Sequence, residues 1–133
     1  MPSSSLSPFI NQEYSSVYAY AGVEAIKSRL AEQGAIVVLN EDDTYLGVVT
    51  PIDVLLQPHR LVIDCLRDKP VIHPDYSVME ALDTMLEHQE IVLPVVYHRG
   101  ELAGLLHQRT LVQHLIKENS RLSKDQPVPP LRR

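Results

Sequence analysis

The one stretch whose residue types and spacing point to chemistry is Gly47-Val48-Val49-Thr50-Pro51-Ile52-Asp53. Thr50 follows a β-branched run and offers a hydroxyl where a helix begins. Pro51 falls at the first helical position, where a missing N–H costs nothing, and Asp53 falls at N3, where its carboxylate reaches back to the cap. Spacing alone does not separate a helix cap from a ligand site. Other chemistry has little to stand on. His107 and His114 lie seven apart on one helix face with no Cys, Asp or Glu at ligand spacing, so a metal centre is not expected. Cys65 reads as a small buried apolar residue rather than a nucleophile. There is no Ser-His-Asp context, no pair of catalytic carboxylates and no Gly-rich phosphate loop, so the chain is not expected to be an enzyme.

The elements that must position Thr50 and Asp53 follow from the hydrophobic periodicity. Residues 15–21 suit a short strand, and Val23, Ile26 and Leu30 recur at helical spacing up to Gly34, which is placed to end the helix. Ala35–Leu39 and Tyr45–Val49 read as a hairpin around the polar turn 40–43, and Thr50 opens a helix carrying Ile52, Leu55 and Leu56. After a bridge over 59–69 the order returns. Pro70-Val71-Ile72 is extended, and Ser77 with Glu80 forms a capping box for a helix with Val78, Ala81, Leu82, Met85 and Leu86 on one face. Ile91–Val96 and Leu102–Leu106 form a second hairpin, with Pro94 suggesting an edge or a bulge. A last helix from His107 to about Glu118 is expected to bury Leu111, Leu115 and Ile116.

Strand, helix, hairpin, helix therefore occurs twice. Ala25-Ile26 matches Ala81-Leu82 at an offset of 56, and Gly47 matches Gly104 at 57. Copies this short bury a core only by packing on each other, with pseudo-two-fold symmetry. At 133 residues, 44% apolar and a net charge of −5, the chain makes one module with no basic stripe for nucleic acid. No apolar run spans a bilayer and no signal-peptide pattern opens the chain, so a cytoplasmic protein is expected.

The repeat resembles the cystathionine-β-synthase (CBS) domain, usually found as a tandem pair. Copy two carries Pro74-Asp75-Tyr76-Ser77-Val78, Ala81-Leu82, Leu93-Pro94-Val95-Val96, Gly100 and Gly104, and copy one carries Thr50-x-x-Asp53. The resemblance implies an α/β (α+β) fold of two tandem β-α-β-β-α motifs, residues 15–58 and 59–118, forming one module over 15–118. A mobile segment, 1–14, with docking through Phe9 and Ile10 as its alternative, precedes it and a C-terminal tail, 119–133, follows, with the Pro-rich end from Asp125 disordered or a docking peptide. It further implies a homodimer and a cleft for an adenosine-containing ligand, with no required cofactor. An ionised Asp53 would accept from both ribose hydroxyls, Thr50 would meet sugar or phosphate, and Val48 would flank the adenine. The segment 72–76 of the opposite copy would close the cleft, bringing His73 and Tyr76 to the ligand.

Copy two places His107 and Thr110 where copy one has Thr50 and Asp53, so one ordinary site at most is expected. Gly34 and Ala35 stand where phosphate-binding relatives often carry basic side chains. AMP, another adenosine-type nucleotide or S-adenosylmethionine is therefore preferred to ATP. The implied role is a regulatory module that senses such a metabolite and modulates a partner protein. The rival is a ligand-free dimeric scaffold.

Overall fold

A computed structural model describes residues 6–56 and 60–125. In the first copy, β1 (Ser16–Tyr18) leads into α1 (Val23–Gln33), which buries Val23, Ile26 and Leu30. Gly34 ends α1 at φ +83°, a left-handed conformation that glycine adopts without strain, and its N–H caps Leu30 O at 2.8 Å. β2 (Ile36–Leu39) and β3 (Tyr45–Val49) follow, then α2 (Pro51–Leu56). β1 pairs parallel with β2, and β2 antiparallel with β3. In the second copy come α3 (Val78–Glu87), β4 (Val92–Val96), β5 (Leu102–His107) and α4 (Gln108–Asp125). Both halves of the Ser77/Glu80 capping box form, at 2.8 and 3.0 Å.

The two hairpins repeat residue for residue at an offset of 57. Ile36 pairs Val49 as Leu93 pairs Leu106, and the ladder slips after Val38 as it slips after Val95. Even the turns agree, with Asn40 N–H donating to Thr44 O and Tyr97 N–H to Glu101 O, both at 2.8 Å. The left-handed turn position is Gly100 in one copy and Asp43 (φ +66°) in the other. The strand before α3 shrinks to one parallel bridge, Ile72 to Val95, the counterpart of Val17 opposite Val38. That bridge explains Pro94. Its carbonyl accepts from Ile72 at 3.0 Å, so its nitrogen faces the same thinly paired edge and the ladder to β5 loses no donor.

Three apolar clusters hold the chain together. One belongs to the first copy, one to the second, and a third (Ala35, Val37, Val48, Val92 and Leu105) joins the halves across their hairpins. The third cluster is itself symmetric, since Ala35 and Val92, like Val48 and Leu105, are 57 apart.

Three expectations need correction. Residues 6–11 are docked rather than mobile, by way of the Phe9 and Ile10 contact and of Leu6, which was not expected: Leu6 is fully buried in the second copy's core, and Phe9 and Ile10 pack beside it. Asn11 exchanges backbone bonds of 2.7 and 2.9 Å with Leu105. The bridge 60–66 does the reciprocal thing, sending Val62 and Cys65 of a short 3-10 turn into the first copy's core. Each copy's leader thus completes the other copy. Next, α4 runs on to Asp125, because nothing after Glu118 breaks a helix until Pro127. The Pro-rich end from 126 lies outside the described residues. Last, Leu86 and Ile116 were expected on buried faces, yet they are 57% and 60% exposed.

Candidate functional site

β3 delivers Thr50 to the start of α2, and one helical turn brings Asp53 back over it. Asp53 Oδ2 accepts from the Thr50 N–H at 2.8 Å and from the Thr50 hydroxyl at 3.0 Å. The hydroxyl is therefore turned towards the carboxylate, unlike that of Ser77, which accepts from Glu80 N–H. Asp53 is 0% exposed and meets two cations from the inter-copy segment. Arg67 Nε donates to Oδ1. Lys69 Nζ donates to Oδ2 at 2.7 Å and to Val48 O at 3.0 Å. Lys69 is 4% exposed and Arg67 34%, and Arg67 Nη2 also stands 3.5 Å from Glu90 Oε2. Glu90 is itself buried.

Burial is the largest single influence on Asp53 and pushes its pKa up. Lys69, the Thr50 N–H and Arg67 together outweigh it and hold the carboxyl below its ordinary value. Asp53 in turn raises the Arg67 guanidinium. The result is a buried, ionised carboxylate with four donors around it, two more than the Thr50 cap supplies.

Thr50, Val48 and Asp53 lie together beside a cavity of about 160 Å³ walled by Tyr45–Val48 from one copy and by Arg67–Lys69, Val71 and Pro94 from the linker and the other. Val48 is nearly all core, joining the cluster between the halves. The opposing wall is segment 67–71, upstream of the expected 72–76. His73 and Tyr76 form a separate group at the second hairpin's turn. There the His73 ring stacks on His98 at 4.0 Å, meets Tyr76 edge-on at 5.7 Å, and donates from Nδ1 to Val96 O at 2.7 Å. Tyr76 packs on the second copy's core.

Arg67, Lys69 and Glu90 were missed from sequence. The legible signal was Arg67-x-Lys69 just before Pro70, where a pre-proline extended backbone turns alternate side chains to one side. These two cations also supply the positive charge that Gly34 and Ala35 do not.

Copy two differs. His107 and Thr110 do stand where Thr50 and Asp53 stand, but the space is larger. One cavity of about 310 Å³ lies between Asn11–Ser15 and His107, and another of about 690 Å³ lies between the end of α1 and the start of α4. Burial, and then Arg109, push the His107 pKa down. Among the described residues no group of three or more His, Cys, Asp or Glu is gathered for a metal. No described helix is long and apolar enough to cross a membrane.

Comparison with known proteins bears on this arrangement. The CBS-domain family model matches residues 62–117. An uncharacterized protein of Methanopyrus kandleri is 28% identical over 98 residues, which is 67% of this chain and 50% of that protein. The match therefore spans about half the length of that curated relative. CBSX2, solved in complex with AMP, superposes with a TM-score of 0.73 at 22% identity, over 86% of this chain and 97% of that one. The CBS domain pair of MJ0100, solved with 5′-methylthioadenosine and S-adenosyl-L-methionine, gives 0.75 at 14% identity, over 88% and 99%. The family match to copy two, the doubled hairpin register and these superpositions agree: residues 62–117 are a CBS domain, and the chain as a whole has the fold of a tandem CBS-domain pair.

Proposed function

We propose that this chain is a regulatory module that binds an adenosine-containing metabolite, an AMP-like nucleotide or S-adenosylmethionine, and through it modulates a partner protein. The observation that carries this is Asp53: a buried, ionised carboxylate with a hydroxyl beside it, held behind Arg67 and Lys69, which wall a small cleft together with residues of both copies. The shared fold of the AMP complex of CBSX2 and the methylthioadenosine and S-adenosylmethionine complex of MJ0100 supports that choice of ligand. A ligand here touches both halves, so its differential affinity shifts how they sit. The chain is regulatory rather than catalytic in this reading. The cleft is smaller than the roughly 300 Å³ of common ligand pockets, so a nucleoside enters only as Arg67 and Lys69 give way.

The same reading makes the chain a homodimer. Ile52, Leu55 and Leu56 stand out from α2, with Leu55 77% exposed, and Val112 and Ile116 stand out from α4. A second copy would cover these faces. Light scattering that finds a concentration-independent monomer overturns this part.

Thermal denaturation with AMP and S-adenosylmethionine, followed by calorimetric titration, tests the ligand. A ligand at a hundred times its Kd stabilises by about 2.7 kcal/mol. No shift with any adenosine ligand leaves the ligand-free scaffold standing. Binding that survives Asp53→Asn and is lost in Thr110→Ala moves the site to the roomier cleft at His107.

A further inference from the structure

The first cleft holds more charge than a ribose site requires. Asp53 has roughly four acceptor positions on two oxygens. The Thr50 N–H, the Thr50 hydroxyl and Lys69 take Oδ2, and Arg67 takes Oδ1. Oδ1 keeps one open position while Oδ2 is already crowded, so a diol bringing two donors must displace at least one of these. Thr50 is held by the chain itself, three residues away, so the partners able to yield are Lys69 and Arg67.

Displacing either has a consequence set by its burial, which is nearly complete for Lys69 (4% exposed) and only partial for Arg67 (34%). Lys69 would keep only the Val48 carbonyl, and Arg67 would keep Glu90 at 3.5 Å. A buried cation stripped of its carboxylate is strongly unfavourable unless another anion takes its place. Adenosine and 5′-methylthioadenosine carry none. S-adenosylmethionine carries an ammonium and a sulfonium against a single carboxylate, adding net positive charge to two cations. A nucleotide phosphate does what is needed: its oxygens accept the guanidinium fork and the ammonium while its sugar takes Asp53.

From this charge exchange, and resting on the adenosine-sensing reading above, we propose that Arg67 and Lys69 select the ligand of the first cleft and admit a nucleoside only when it carries its own phosphate. Both residues lie on the segment joining the two copies, so the exchange also loosens the tie between Asp53 and that segment. The ligand class is narrowed to nucleoside phosphates, against S-adenosylmethionine.

The test is calorimetric titration of the full chain with AMP, adenosine and S-adenosylmethionine, in wild type, Arg67→Gln, Lys69→Gln and Arg67→Lys. Wild type is expected to bind AMP at least about tenfold more tightly than either other ligand, one charge-assisted bond's worth or more. Each Gln variant should cut the AMP-to-adenosine ratio by about fivefold or more, and Arg67→Lys, which keeps the charge, should retain most of it. If the Gln variants do not fold, wild type alone decides, because the ratio must shrink as salt rises from about 0.05 to 0.5 M. A ratio that neither salt nor either Gln variant moves overturns the inference. Adenosine or S-adenosylmethionine binding wild type as tightly as AMP overturns it too, while leaving the sensing reading intact. No binding of any of the three overturns both.

Discussion

Asp53→Asn separates a helix cap from a buried charge centre by stability alone, before any ligand is added. Asn keeps the shape and can still accept from the Thr50 N–H, so a mere cap would lose under about 1 kcal/mol. The structure argues for more. Asp53 is 0% exposed and its partner Lys69 only 4%, so the neutral side chain leaves a cation with nowhere to go. Breaking a buried pair from one side costs about 3–5 kcal/mol. The lower end applies, because Arg67 is a third exposed and keeps Glu90. At about 4 °C per kcal/mol for a chain this size, the melting temperature should fall by about 12 °C. Adding Lys69→Met, which removes the stranded charge, should recover part of that loss. The sign of the pH dependence is fixed as well. The folded pKa of Asp53 is depressed, so its contribution is full above the ordinary carboxylate value and lost as pH falls through the folded one. The variant's deficit should therefore shrink below about pH 4. A fall of under about 3 °C at pH 7, or a double variant less stable than the single one, would refute the argument.

The remaining predictions are briefer. Leu6→Ala should cost about 2–5 kcal/mol in urea unfolding, since Leu6 is fully buried in the second copy's core; no change would mean that residues 6–11 do not dock. Gly104→Ala should displace the same segment, because at φ +155° a Cβ there would stand 2.5 Å from Ile10 Cγ2 and 2.6 Å from Asn11 O. Hydrogen exchange at the Asn11 and Leu105 amides should quicken, and unchanged protection would count against it. His107, held below its ordinary pKa by burial and then by Arg109, makes the folded chain reluctant to take a proton. Stability should decline as pH falls below about 6.5, and His107→Gln should flatten that decline between pH 7 and 5.

The parts of this fold written in local pattern were legible from sequence, and the parts made between distant segments were not. The helices and hairpins follow from periodicity, capping residues and the repeat, and the repeat predicts which strands pair. Thr50 and Asp53 were legible as a pair because they lie three apart. Arg67 and Lys69 stand 14 and 16 residues from Asp53, and only the tertiary packing joins them. Their alternation before Pro70 was a signal without an address. Segment 6–11 was legible only as far as a docking option for Phe9 and Ile10: its few apolar residues look too sparse to fold, but the surface they complete belongs to residues 72–115. His73 and Tyr76 were placed by resemblance alone; they gather with His98 at the second hairpin's turn, while the wall beside Asp53 comes from residues 67–71 just upstream.

The reciprocal leaders decide how this molecule can come apart. Leu6 and Phe9 seal the body that follows them by more than sixty residues, and Val62 and Cys65 seal the body that precedes them. They are themselves related by an offset of 56, so the exchange obeys the same symmetry as the hairpins. Neither body is whole without an arm from the other side of the junction. A chain severed between the copies yields two pieces, each with a gap in its interior and a bare apolar arm that fits the gap in its mate. Such pieces should be unfolded separately and should reconstitute when mixed. Intact, the chain should melt in one transition rather than two. Folding should also wait on a contact made between remote parts of the sequence. At high concentration the same arms offer a route to exchange between chains, in which a second molecule's leader fills the place of the first.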